Sequence, residues 1–168
     1  MLPFDSPKII LFVPRRSATG YGLILPSNLG SARRPGDPKE KPRVLIVEDD
    51  AMIAWDMSLS LEAAGFQVCG IVSNGAAALE RASASVPDVV LMDVNLKEGM
   101  DGIETARAIR ERQAGTPIIF VTGFGDPETS ARIRAVNPNG YLLKPVMPEE
   151  LEAAIVRALE TGPDHDDA

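Results

Sequence analysis

The sequence predicts an α/β protein with a doubly wound parallel sheet of five strands and five helices. Two observations carry this. Four short apolar runs, at 44–47, 89–92, 118–121 and 141–143, lack polar alternation, as parallel strands buried on both faces do. From Arg43 onward, strand-like and helix-like segments alternate with little left over, and right-handed crossovers turn that alternation into a doubly wound sheet.

The elements follow in order. Strands are expected at 43–47, 67–72, 89–93, 118–122 and 140–144, with a helix after each. In the first helix Ile53, Met57, Leu61 and Ala64 sit at helical spacing before Gly65, a fitting C′ stop. Trp55 falls off that stripe. The helix at 126–136 has Asp126 as a cap and Pro127 behind it, but only Ile133 and Val136 as sizeable anchors, so little burial holds it. Leu151, Ala154, Ile155, Ala158 and Leu159 form the last stripe, opened by Pro148 and closed near Gly162.

The 168 residues suit one core and an appendage. Half of the fourteen prolines fall in the first 42 residues, and 31–42 mixes Gly, Pro and charge without periodicity. Residues 1–41 are expected to be a disordered extension and linker, 42–162 the folded domain and 163–168 an acidic tail. A hairpin pairing 9–13 with 21–25 is the alternative within the extension, although an isolated hairpin is marginal in water. Residues 1–41 carry seven Lys/Arg against three Asp/Glu, and 42–168 carry ten against twenty-one. So acidic a core argues against nucleic-acid binding. The single cysteine, Cys69, permits no intramolecular disulfide and most simply packs, and no apolar run approaches a membrane span. No signal peptide is evident either, so a cytoplasmic, membrane-free protein is the default.

The four runs end in residues with chemistry: Glu48 and Asp49, Asp93, Thr122 and Lys144. Ligands of open α/β sheets bind beyond the carboxyl ends of the strands, so these groups should share one crevice. Crowded carboxylates raise one another's pKa and destabilise the fold unless a cation relieves them. Mg²⁺ prefers one or two carboxylates, a backbone oxygen, retained waters and a phosphoryl oxygen. Lys144 and Thr122 suit phosphoryl oxygens, and a strand-end carboxylate beside a cation can be a nucleophile. Asp93 is that candidate.

Residues 43–160 resemble the receiver domain of two-component response regulators. The resemblance rests on Val-Glu-Asp-Asp at 47–50, Leu-Met-Asp-Val-Asn at 91–95, Asp101-Gly102, Val-Thr-Gly at 121–123 and Tyr-Leu-Leu-Lys-Pro at 141–145. It implies a flavodoxin-like sheet of strand order 2-1-3-4-5. It also implies that Asp93 accepts phosphate from a histidine kinase or phosphotransfer protein, and that Asp49, Asp93 and the backbone carbonyl of Asn95 bind Mg²⁺, with Glu48 acting through water. Lys144 would contact phosphoryl oxygens, its strand end fixed by a cis Lys144–Pro145 bond, and Thr122 and Tyr141 would form the switch pair. Kinase docking on the first helix would use Met52 and Trp55.

Pro117, Phe120, Gly123 and Phe124 resemble a subgroup of stand-alone receivers with a short or mobile fourth helix. Phe124, near the path of the hydrolytic water, should slow autodephosphorylation. Residues 161–168 are too few for an output domain, so the expected protein is a stand-alone regulator. It would catalyse only its own phosphorylation and dephosphorylation, and would signal to an unnamed output protein by contact, as a monomer or a phosphorylation-dependent dimer. A phosphate sink for a kinase is the alternative. A haloacid-dehalogenase-like phosphohydrolase would need an acid two residues after the nucleophile, where Asn95 stands. His165 is expected to be solvated in the tail.

Overall fold

The computed structural model describes residues 41–123 and 126–161. The expected extension before Lys41, Phe124 and the tail with His165 lie outside them. Among the described residues, five strands alternate with five helices: β1 (Arg43–Val47), α1 (Ala51–Ala63), β2 (Gln67–Val72), α2 (Gly75–Ser85), β3 (Val89–Met92), α3 (Gly102–Arg112), β4 (Ile118–Thr122), α4 (Pro127–Arg134), β5 (Gly140–Leu143) and α5 (Pro148–Thr161). All pairings are parallel, in the order β2-β1-β3-β4-β5. The helix count and sheet order are those expected, and so are the strand positions, except that β3 and β5 end one residue early, at Met92 and Leu143, leaving Asp93 and Lys144 just beyond them.

Two cores explain why the central strands show no alternation. Leu45, Val47, Val90, Met92, Ile118 and Phe120 pack with α2, α3 and Ile133 of α4. Val44, Ile46, Val89, Leu91, Ile119 and Val121 pack with α1 and α5 on the other face. Successive side chains point to opposite faces, and both faces are covered. The last run departs from the expectation. In β5, Tyr141 and Leu143 are exposed while Leu142 is partly covered, because β5 is an edge strand and α4 covers little of it. Ile71 of the opposite edge strand, β2, is exposed as well.

Helix α1 corrects a second expectation. Its buried positions are Ala54, Met57, Ser58 and Leu61, while Ile53 and Ala64 are exposed. The stripe keeps helical spacing but is rotated by one residue, and small side chains at 54 and 58 let the helix lie close to the sheet. Asp50 caps the helix, its Oδ1 accepting from the amides of Met52 (2.9 Å) and Ile53 (3.2 Å). Gly65, at φ +93°, ends it as expected. In α4, Asp126 caps through Thr129 N–H at 2.9 Å and Pro127 opens the first turn. Its only buried helical residue is Ile133, joined by Val136 just beyond the helix.

Candidate functional site

Strand ladders extended by one residue fix the site's backbone. The Glu48 amide donates to Val72 O, that of Asp93 to Val47 O and that of Lys144 to Thr122 O, each at 2.9 Å. Glu48, Asp93 and Lys144 are therefore held where three strands end, at the carboxyl edge of the sheet. The loop after β3 is closed by the Gly102 amide, which donates to Val94 O at 2.9 Å. A Cβ on Gly102 would lie 1.8 Å from Asp93 O, so no side chain fits there. Asp101 before it caps α3 in a capping box with Glu104, and its Oδ2 also pairs with Arg132 of α4.

These ends bring Glu48, Asp49 and Asp93 together, each offering a carboxylate oxygen within 4.8 Å of the others. Lys144 Nζ bridges two of them, 2.5 Å from Glu48 Oε2 and 2.9 Å from Asp93 Oδ2. Its side chain is 18% exposed, and Glu48 and Asp93 are buried. Burial pushes the Glu48 carboxyl up; Lys144 opposes this and the Asp93 charge adds to it, leaving the group above the usual glutamate range. Burial pushes the Lys144 ammonium down, but its hydrogen bonds to Glu48 and Asp93 outweigh that and hold it above the ordinary lysine value.

The other expected residues distribute as follows. Thr122 is fully buried at the end of β4, and Tyr141 is exposed on β5, in register with Phe120. The Lys144–Pro145 peptide is cis. The Asn95 amide donates to Asp93 Oδ1 at 3.2 Å. Met52 and Trp55 are 79% and 61% exposed. They stand over two different hollows. Trp55, Glu48 and Asp49 line one of about 480 Å³, and Met52, Val121 and Lys144 line another of about 550 Å³.

One charged group at the site carries no clear signal in the sequence. Lys97, on the loop after β3, places Nζ 2.7 Å from Asp49 Oδ2, and this contact and charge raise its own pKa. Loop residues carry no periodic signal, so only its position four residues after Asp93 hinted at it. An all-oxygen donor set countered by ammonium groups fits a hard divalent cation, which prefers oxygen ligands. No helix among the described residues is long and apolar enough to cross a membrane.

The family model for the response regulator receiver domain matches residues 44–156. The chain is 35% identical over 117 residues to the transcriptional regulatory protein PdtaR of Mycobacterium tuberculosis, covering 70% of this chain and 56% of PdtaR. It is 33% identical over 118 residues to the regulatory protein AtoC of Escherichia coli, of which it spans 25%. The chain thus spans about half the length of PdtaR and a quarter of AtoC. Among solved structures, the signal receiver domain of a modulated diguanylate cyclase from Desulfovibrio desulfuricans superposes with a TM-score of 0.69 at 39% identity, over 73% of this chain and 96% of that one. A CheY-like receiver domain from Methanospirillum hungatei does so with 0.68 at 27% identity, over 73% and 96%. With five strands in the order 2-1-3-4-5, an acidic cluster at the strand ends and the family model matching residues 44–156, the chain belongs to the response regulator receiver domain family.

Proposed function

We propose that residues 42–162 form a phosphorylation-controlled receiver in which Asp93 accepts a phosphoryl group from a histidine kinase or phosphotransfer protein. The observation that carries this reading is the Lys144 ammonium set between Glu48 and Asp93, beside the third carboxylate of Asp49. In the transfer, an Asp93 carboxylate oxygen attacks phosphorus while the P–N bond of the donor phosphohistidine breaks, its electron pair returning to the imidazole. Asp49 and Asp93, with the Asn95 backbone carbonyl, would hold a divalent cation such as Mg²⁺, Glu48 acting through water. That ion, when bound, neutralises charge on the phosphoryl oxygens.

The chain's own groups do the rest. Lys144 takes one phosphoryl oxygen, and the Thr122 hydroxyl, at the neighbouring strand end, takes another. Moving Thr122 toward the phosphoryl group frees space for Tyr141 to turn inward from its exposed position on β5. The exposed surface of α4, β5 and α5 thereby reports occupancy of Asp93 by a population shift. Signalling is by contact with an output protein, and Met52 and Trp55 of α1 dock the phosphodonor.

The test is phosphorylation of the full chain by acetyl phosphate with Mg²⁺, followed by phosphotransfer profiling against the kinases of the same genome. Intact mass should show one acid-stable, base-labile phosphoryl increment that Asp93→Ala lacks. An increment that persists in Asp93→Ala overturns the assignment. Trp55→Ala should slow transfer from the cognate kinase while leaving acetyl phosphate labelling unchanged; equal loss with both donors removes the docking role.

A further inference from the structure

Among the described residues, the acidic cluster is served by two lysines that differ in how firmly they are held. Lys144 is anchored by a strand ladder, is largely covered, and touches Glu48 and Asp93. Lys97 extends from the loop between β3 and α3 with 78% of its side chain exposed, yet its ammonium reaches Asp49, whose side chain is only 11% exposed. Each of the three carboxylates therefore has an ammonium partner in the cation-free protein. Two carboxylates share a fixed lysine, and the third has one that can withdraw.

Withdrawal is easy for Lys97. An ammonium on a flexible four-carbon stem at the surface regains water when it leaves its partner, so a pair whose cation is this exposed is held weakly at that end. Asp49 cannot follow it, because it is mostly covered and sits directly after Glu48, whose amide is bonded to Val72 O. A cation arriving at the cluster thus meets Asp49 Oδ2 with the Lys97 ammonium 2.7 Å away, paired by charge though without hydrogen-bond geometry, and that ammonium must be released.

Resting on the proposed reading of the cluster as a divalent-cation site, we infer that Lys97 is a built-in counter-ion that competes with the cation for Asp49. Metal loading is then an exchange of one ammonium for one divalent ion. Two consequences follow. The metal-free cluster escapes part of the repulsion among its carboxylates, and the cation affinity is set lower than the carboxylates alone would give. The competition is electrostatic and its ammonium lies in solvent, so it weakens as salt rises.

The experiment is calorimetric titration of MgCl₂ into the full chain and into Lys97→Met, Lys97→Arg and Arg132→Met. It is run at ionic strengths of about 0.01 and 0.15 M, where the Debye length is about 30 and 8 Å. Lys97→Met keeps the stem and removes the charge on an exposed residue. It should tighten Mg²⁺ binding about two- to five-fold at the lower salt, the range of an exposed pair, with a smaller gain at the higher. Lys97→Arg should bind like the unsubstituted chain. Arg132→Met makes the same change in net charge at the Asp101 pair and should leave the affinity unaltered. Binding seen only after Lys97→Met supports the inference in its strongest form. Unchanged or weaker binding by Lys97→Met overturns it while leaving the metal site standing, as does equal tightening by Arg132→Met, which would point to a general field. Absence of Mg²⁺ binding in every variant overturns both the inference and the reading it rests on.

Discussion

At the scale of single residues, the charge balance of the site turns on Lys144. Its ammonium is the shared partner of two buried carboxylates, so removing it leaves both uncompensated. Lys144→Met should cost about 3 kcal/mol by urea unfolding of the metal-free protein, and Glu48→Gln in the same chain should restore part of it. By itself Glu48→Gln should stabilise. A raised carboxyl pKa gives stability that is present below the ordinary value of 4.5 and lost as pH rises through the folded value, so at neutral pH the ionised group is a burden that Gln lifts. A higher midpoint for Glu48→Gln at pH 7, shrinking toward pH 4, is the expected result. Lys144 works in the opposite range: its contribution is present below the ordinary value of 10.5 and fades only as pH climbs through its raised folded value. Gly102 matters for space alone. Gly102→Ala puts a Cβ against Asp93 O, and should cost about 1–3 kcal/mol and slow acetyl phosphate labelling of Asp93 together.

At the scale of elements, α4 is the least anchored helix. It buries only Ile133 within its span and is tethered in addition by the ion pair from Arg132 to Asp101, the cap of α3. Amide exchange should therefore be faster in α4 than in the other four helices. Asp101→Asn keeps a capping side chain and removes the ion pair, so global stability should fall by less than about 1 kcal/mol while exchange in α4 rises. If α4 exchange is unchanged in Asp101→Asn, the tether carries no weight. The weak anchoring was readable from 126–136 because two apolar anchors in eleven residues cannot make a buried stripe. The face of α1 was not readable. Hydropathy ranks Ile53 above Ala54, yet close approach to the sheet favours the smaller side chain, and that depends on tertiary packing. Exposure of Tyr141 and Leu143 was hidden for a related reason: an apolar run does not say how well a neighbouring helix covers it.

At the scale of the whole molecule, a parallel sheet gathers the carboxyl ends of its strands at one edge, and this chain places its acids there while carrying an excess of negative charge from residue 42 onward. That geometric rule made Glu48, Asp49, Asp93 and Lys144 legible as one cluster, since strand ends can be located from the apolar runs. Lys97 was not legible, because its partner is chosen by the course of a loop. Concentrating like charges at one edge makes folding and cation binding linked quantities: a ligand taken only by the folded state stabilises it by RT ln(1 + [L]/Kd). At Mg²⁺ ten times above its Kd this is about 1.4 kcal/mol, or about 4 °C in Tm for a domain of this size. The increment should saturate with Mg²⁺, vanish in Asp49→Asn, and be absent when NaCl supplies the same ionic strength, since simple screening relieves repulsion without selecting a divalent ion. An equal rise in NaCl would mean that the acidic edge responds to screening alone and that the cluster holds no specific cation.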